Sequence, residues 1–122
     1  MEMSMPLSIT NLKPYVPARD FELSKRFYVA LGFTMSEGWD GTADFALNGY
    51  AFRLQNYYVR AWANNFMFVI DIEDVDAWHQ RALELLDSNA FPSMRVKAPE
   101  PVDDSLVLHV WDPTGVLLVF VQ

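Results

Sequence analysis

The sequence predicts an α+β fold in which a strand–helix–three-strand unit (βαβββ) occurs twice and the two copies pair into a cup-shaped sheet. Three observations carry this. The predicted elements run through the same cycle twice. Asp20 and Asp74 each stand where a helix should begin, 54 residues apart. The first strands of the two halves begin near Leu12 and Phe66, with the same offset. One such unit cannot bury both faces of its sheet, whereas two can share a core and leave a concave surface. The chain is therefore read as one domain over residues 1–122, with repeat 1 at about 10–60 and repeat 2 at about 65–122.

In repeat 1, Leu12 to Pro17 reads as a short strand, and Pro14 and Pro17 confine it to an edge because proline cannot donate to a ladder. Asp20 caps a helix whose apolar residues Phe21, Phe27, Tyr28 and Leu31 fall at helical spacing, and Gly32 ends it. Phe33 to Glu37 and Ala43 to Leu47 are strands around the loop Gly38-Trp39-Asp40-Gly41. Asn48-Gly49 is a two-residue hairpin signal, with Tyr50 to Gln55 as the return strand. Residues 56–64 show no periodicity and read as a connector too short for a flexible interdomain linker.

Repeat 2 opens on the apolar strand Phe66 to Ile72, interrupted by Asp71. Asp74 caps a helix to about Leu86 with Val75, Trp78, Ala82 and Leu85 on one face. Ser93 to Lys97 is a short strand that the prolines of residues 98–104 should stop. Ser105 to Trp111 and Val116 to Val121 are strands joined by the turn Asp112-Pro113-Thr114-Gly115.

Composition narrows the function classes. The hydrophobic share of 52% and charged share of 20% favour a folded core over disorder. With no cysteine, disulfides, thiolate nucleophiles and cysteine metal sites are excluded, and a cytoplasmic location is expected. Met1 to Met5 lacks the basic and apolar regions of a signal peptide, and the run Gly115 to Val121 falls far short of the ~20 residues of a membrane helix. The formal charge of -7 disfavours a nucleic-acid partner, which needs a basic face, and favours cationic ligands at long range.

The segments Ala18-Arg19-Asp20-Phe21, Phe27-Tyr28, Leu31-Gly32-Phe33, Glu73-Asp74-Val75-Asp76 and Trp111-Asp112-Pro113-Thr114-Gly115, in this order, resemble the vicinal oxygen chelate superfamily (glyoxalase, extradiol dioxygenase and bleomycin-resistance proteins). The start Pro14-Tyr15-Val16-Pro17-Ala18-Arg19-Asp20 is most similar to the bleomycin-resistance branch. That resemblance implies a homodimer, and the proline-interrupted first strand could exchange between its subunits. The resemblance also implies binding of a large cationic glycopeptide between subunits without chemistry.

Enzymes of the superfamily hold a divalent metal with His and Glu. Their ligands fall seven residues before the Asp of each helix start and seven past the Asp of the turn. Here those positions are Lys13, Met67 and Val119. A protonated lysine repels a cation, a thioether suits hard ions poorly, and valine has no donor. No metal and no other cofactor is therefore expected, and the Lewis acid of the superfamily's chemistry has no seat.

Strand alternation carries these positions to their neighbours. Tyr15 shares a face with Lys13, Asp71 and Val69 with Met67, and Leu117 and Val121 with Val119. The superfamily's dioxygenases place a catalytic side chain three residues before the turn Asp, which here is His109, with Trp111 on the same face. The expected ligand contacts are Tyr15, Trp39, Phe45, Trp62, Asp71, His109 and Trp111, with aromatic platforms for planar rings or cations. Phe45 and Asp71 also have structural readings: core packing for the first, a pair with Lys13 for the second. No catalytic residue is assigned. The alternative is an enzyme with a non-standard site (a lyase, isomerase or dioxygenase) that uses His109 or Asp71.

Overall fold

The computed structural model describes residues 6–122, so the reading of Met1 to Met5 lies outside it. The elements are β1 (Tyr15–Pro17), α1 (Phe21–Leu31), β2 (Thr34–Glu37), β3 (Ala43–Leu47), β4 (Tyr50–Gln55), α2 (Arg60–Asn65), β5 (Met67–Asp71), α3 (Val75–Asp87), β6 (Arg95–Val102), β7 (Ser105–Trp111) and β8 (Leu117–Val121). They form two four-stranded sheets, β1-β4-β3-β2 and β5-β8-β7-β6, which stay separate and unclosed. The order is the same in both: the first strand pairs parallel to the last, and the others pair antiparallel.

Local chemistry sets the boundaries. The Asp20 and Asp74 carboxylates accept from the amides of Leu23 and Ala77, satisfying a helix-start donor in each repeat. Asn48 and Gly49 both take positive φ (54° and 86°), the backbone of a tight hairpin turn, and set Leu47 opposite Tyr50.

Three expectations need correction. First, β1 begins at Tyr15 rather than Leu12, because Pro14 offers no N–H to the ladder. Second, β6 runs through Pro99 and Pro101 to Val102. It can do so because it is an edge strand, and the ladder shifts register between Lys97 and Glu100, so the prolines fall at and just beyond a bulge. Third, the connector holds α2, a helix too short to show periodicity, with Ala63 buried beneath it.

One face of each sheet packs on a shared core. Val16, Phe45, Phe52 and Leu54 from the first sheet, Leu108, Val110, Leu118 and Phe120 from the second, and Phe27, Tyr28, Val75 and Ala82 from the helices form one buried cluster. Its aromatic rings meet mostly edge to face, Phe27 against Phe91 at 5.4 Å and Tyr28 against Phe52 at 4.8 Å. Polar bonds also tie the repeats together. The buried Tyr28 hydroxyl donates to Asp112 Oδ2 at 2.6 Å, and the Ser24 and Thr114 hydroxyls lie 3.2 Å apart. Asp112 Oδ1 accepts the amides of Thr114, Gly115 and Val116 at 2.8–2.9 Å, which shapes the turn before β8. Burial pushes the Asp112 carboxyl up, against the pull of those donors, and pushes the Tyr28 phenol well up, so Tyr28 remains a donor.

Candidate functional site

The opposite faces of both sheets are open, and pairing register shows what they carry. Across the first sheet Tyr15 stands beside Arg53, Arg53 beside Asp44, and Asp44 beside Ser36. Across the second, one row is Met67, Leu117, Trp111 and Arg95, and the next is Val69, Val119, His109 and Lys97. Asp71 lies in the row of Val121 and Val107. Thus Tyr15, Asp71, His109 and Trp111, and the tested positions Met67 and Val119, all stand on open faces, as period-2 counting requires.

On the first sheet, Asp44 is gripped by two cations. Its Oδ1 accepts from Arg53 Nε at 2.7 Å, and its Oδ2 accepts from Arg53 Nη2 at 3.0 Å and Lys13 Nζ at 2.7 Å. Arg53, helped by Lys13 and opposed by partial burial, holds the Asp44 carboxyl down at about 2. The Arg53 guanidinium also lies over the Tyr15 ring, 5.7 Å from its centroid. Gly38 makes this packing fit: a Cβ there would strike the Thr42 hydroxyl and come within 2.8 Å of Asp44 Oδ1. Next to it, Tyr15, Trp39, Asp40, Thr42, Gln55 and Tyr57 line a pocket of about 270 Å³. Trp39 is 70% exposed there, so the loop presents its indole to solvent rather than to the core. Trp62 sits behind on α2, half-buried between Tyr57 (6.4 Å) and Phe66 (6.1 Å).

On the second sheet, His109 and Trp111 stack at 6.0 Å, and Arg95 covers the indole at 4.5 Å. His109 Nδ1 is buried and has no hydrogen-bond partner among the described residues. Met67, at the start of β5, and Val69, at its centre, are 58% and 66% exposed on the same face, leaving apolar surface open to solvent. Asp71 is exposed and makes no ion pair among the described residues; Lys13, its expected partner, pairs with Asp44 instead. Asp71 borders a larger cleft of about 890 Å³ where the repeats meet, walled by Phe33, Tyr50, Phe52, Phe68 and Trp78.

Phe45 is corrected. It is fully buried on the core face, stacked on Phe52 at 5.4 Å, and offers nothing to a ligand on the open face. Its neighbours Ala43 and Leu47 share that face, and alternation from Asp44 was the signal for it. Asp44 and Arg53, the centre of the polar cluster, were missed; each is a lone charge between apolar strand residues, which is the sign of a residue facing away from the core.

The residues do not fit the superfamily's metal. Of the three positions, Lys13 carries a positive charge committed to Asp44, Met67 offers a thioether and Val119 offers nothing. Among the described residues no three His, Asp or Glu side chains converge as a ligand set, and no helix is long and apolar enough to cross a membrane.

No protein-family model matches the chain, and no curated protein matches its sequence. Solved structures do. A bleomycin-binding protein in complex with bleomycin superposes with a TM-score of 0.75 at 21% identity, over 92% of this chain and 97% of that one. The bleomycin-binding protein of Streptomyces verticillus, complexed with copper(II)-bleomycin, gives 0.77 at 19% identity over 94% and 97%. A lactoylglutathione lyase from Agrobacterium tumefaciens gives 0.65 at 17% identity over 96% and 94%. The chain has the glyoxalase/bleomycin-resistance fold, as its motifs implied.

Proposed function

We propose that this chain is a metal-free small-molecule binding protein of the cytoplasm that sequesters a planar or cationic ligand, such as a glycopeptide antibiotic, in an aromatic groove. The supporting observation is the open face of the second sheet. Met67 and Val69 are largely exposed there beside the half-buried pair Trp111 and His109, while the metal-ligand positions Met67 and Val119 offer only a thioether and no donor. Tyr15 and Trp39 supply aromatic surface, Trp62 backs Tyr57 behind it, and Asp71 offers a carboxylate for a cationic group. The same uncovered face supports a homodimer, since a second copy would remove Met67 and Val69 from water. β1 pairs with β4 of its own chain, so strand exchange would substitute the partner's β1 in that parallel pairing.

Calorimetric titration with bleomycin tests the binding reading. Saturable binding near one ligand per chain, with no metal added, is the expected result. Absence of saturable heat removes the glycopeptide, and a stoichiometric metal in the purified protein overturns the metal-free reading. Light scattering should give twice the 14.0 kDa chain mass. A second reading rests on His109 beside Trp111 on the open face: its Nδ1 is buried, so the other ring nitrogen, Nε2, would take a proton from a bound substrate as a general base. Turnover lost in His109→Gln, with binding retained, would establish that enzyme.

A further inference from the structure

The open face of the first sheet has the opposite electrostatic sense to the chain. The protein carries a formal charge of -7, yet Lys13 and Arg53 here share a single carboxylate. Both oxygens of Asp44 are engaged, and one positive charge in the cluster is left unbalanced. An ammonium has three N–H donors and a guanidinium five. Lys13 therefore keeps donors unused by Asp44, and its side chain is 29% exposed. Among the described residues Arg53 Nη1 finds only the Tyr15 hydroxyl, at a long 3.5 Å. Asp44 fixes both cations in place, so little side-chain freedom remains to be lost on binding. Tyr15 also forms a wall of the 270 Å³ pocket with Trp39 and Tyr57, which places flat aromatic surface next to these donors. The one carboxylate in that lining, Asp40, is on an exposed loop where solvent screens it.

We infer that Lys13, Arg53 and Tyr15 form a site for an acidic oxygen group, a carboxylate or sulfonate, on the ligand's planar body. This rests on the small-molecule reading above and, of the planar or cationic ligands it allows, selects at this site a planar one that carries an acid group. The cation at the first metal-ligand position attracts the ligand's oxygen directly, as a charge-assisted hydrogen-bond donor.

The test is calorimetry of the full chain with two probes of equal shape, 1-naphthoate and 1-naphthylmethylamine, with bleomycin alongside. The acid should bind saturably and the amine at least tenfold more weakly. Lys13→Gln should weaken the acid about tenfold or more, the loss expected for one charge-assisted bond. Lys13→Arg should restore most of it, and added salt should weaken binding to the wild type more than to Lys13→Gln. An unchanged melting temperature in Lys13→Gln shows that the loss is not one of folding. If acid and amine bind equally, or Lys13→Gln leaves the acid unaffected, the inference is overturned while small-molecule binding stands. If neither probe nor bleomycin gives saturable heat, both fall.

Discussion

Replacing Tyr28 with phenylalanine isolates the bond that pins the first repeat to the second. The ring keeps its contacts with Phe27 at 5.1 Å and Phe52 at 4.8 Å, so only the hydroxyl is removed. That hydroxyl donates at 2.6 Å to the carboxylate of Asp112, and both residues are buried. Loss of a hydrogen bond to a charged group costs about 1.5–3 kcal/mol, and the upper half applies because Asp112 Oδ2 is then buried without this donor. With an unfolding entropy of about 2.1 cal/mol/K per residue, a 122-residue chain should lose roughly 8–12 °C in Tm. Differential scanning calorimetry at neutral pH reads this directly. A double-mutant cycle with Asp112→Asn should show strong coupling, since the two side chains act as one unit. Because Tyr28 faces the core, probe affinity at the open faces should not change. A fall of less than about 2 °C would refute the reasoning, since it would mean that water or a shifted backbone replaces the phenol at no cost.

Gly38→Ala should cost about 1–3 kcal/mol and shift Trp39 fluorescence, because the new methyl strikes Thr42 and crowds Asp44; chemical denaturation with tryptophan emission checks both. Acid unfolding should show the Asp44 cluster. Its folded carboxyl, at about 2, lies below the ordinary value, so its stabilisation is full above about pH 4 and fades as pH falls toward 2. Asp44→Asn should flatten that part of a stability–pH curve. Burial raises the Asp112 carboxyl, so this group has the opposite sign, costing stability at neutral pH and less on acidification. Phe45→Ala should cost about 3–5 kcal/mol by thermal melting, as a buried aromatic does, with no selective loss of ligand affinity. Val69→Lys should leave the fold intact and prevent the proposed pairing, read by light scattering against the unsubstituted chain, because it sets a charge on the open face that a second copy would cover.

Features set by neighbours in the chain were legible in the sequence. Asp20 and Asp74 cap helices because a short side chain reaches an amide three residues on, whatever the rest of the molecule does. Asn48-Gly49 makes its turn for a similarly local reason. Parity along β5, β7 and β8 placed Met67, Asp71, His109 and Val119 on one side correctly, since a strand admits only two faces. What failed depended on partners distant in sequence. Prolines suggested that β6 should stop, but an edge position and a bulge relieve the missing donors. Lys13 was expected beside Asp71, but the folded chain brings it to Asp44, whose place depends on strand pairing. Phe45 reads as a ligand platform by residue type, and only its strand partner Phe52 shows that it belongs to the core.

The interrupted ladder of β6 also limits how copies of this protein can associate. A sheet can recruit further strands at either end, and chains that do so at both ends polymerise. In the second sheet, Pro99 and Pro101 withhold N–H groups from the outer side of β6, and the bulge twists it out of register. The other end is β5, five apolar-rich residues paired, among the described residues, only to β8. Strand-to-strand recruitment in this sheet is thus confined to β5. A β5 that meets another β5 forms a two-fold contact that uses up both termini, so the geometry admits a closed pair and halts a filament at its first step.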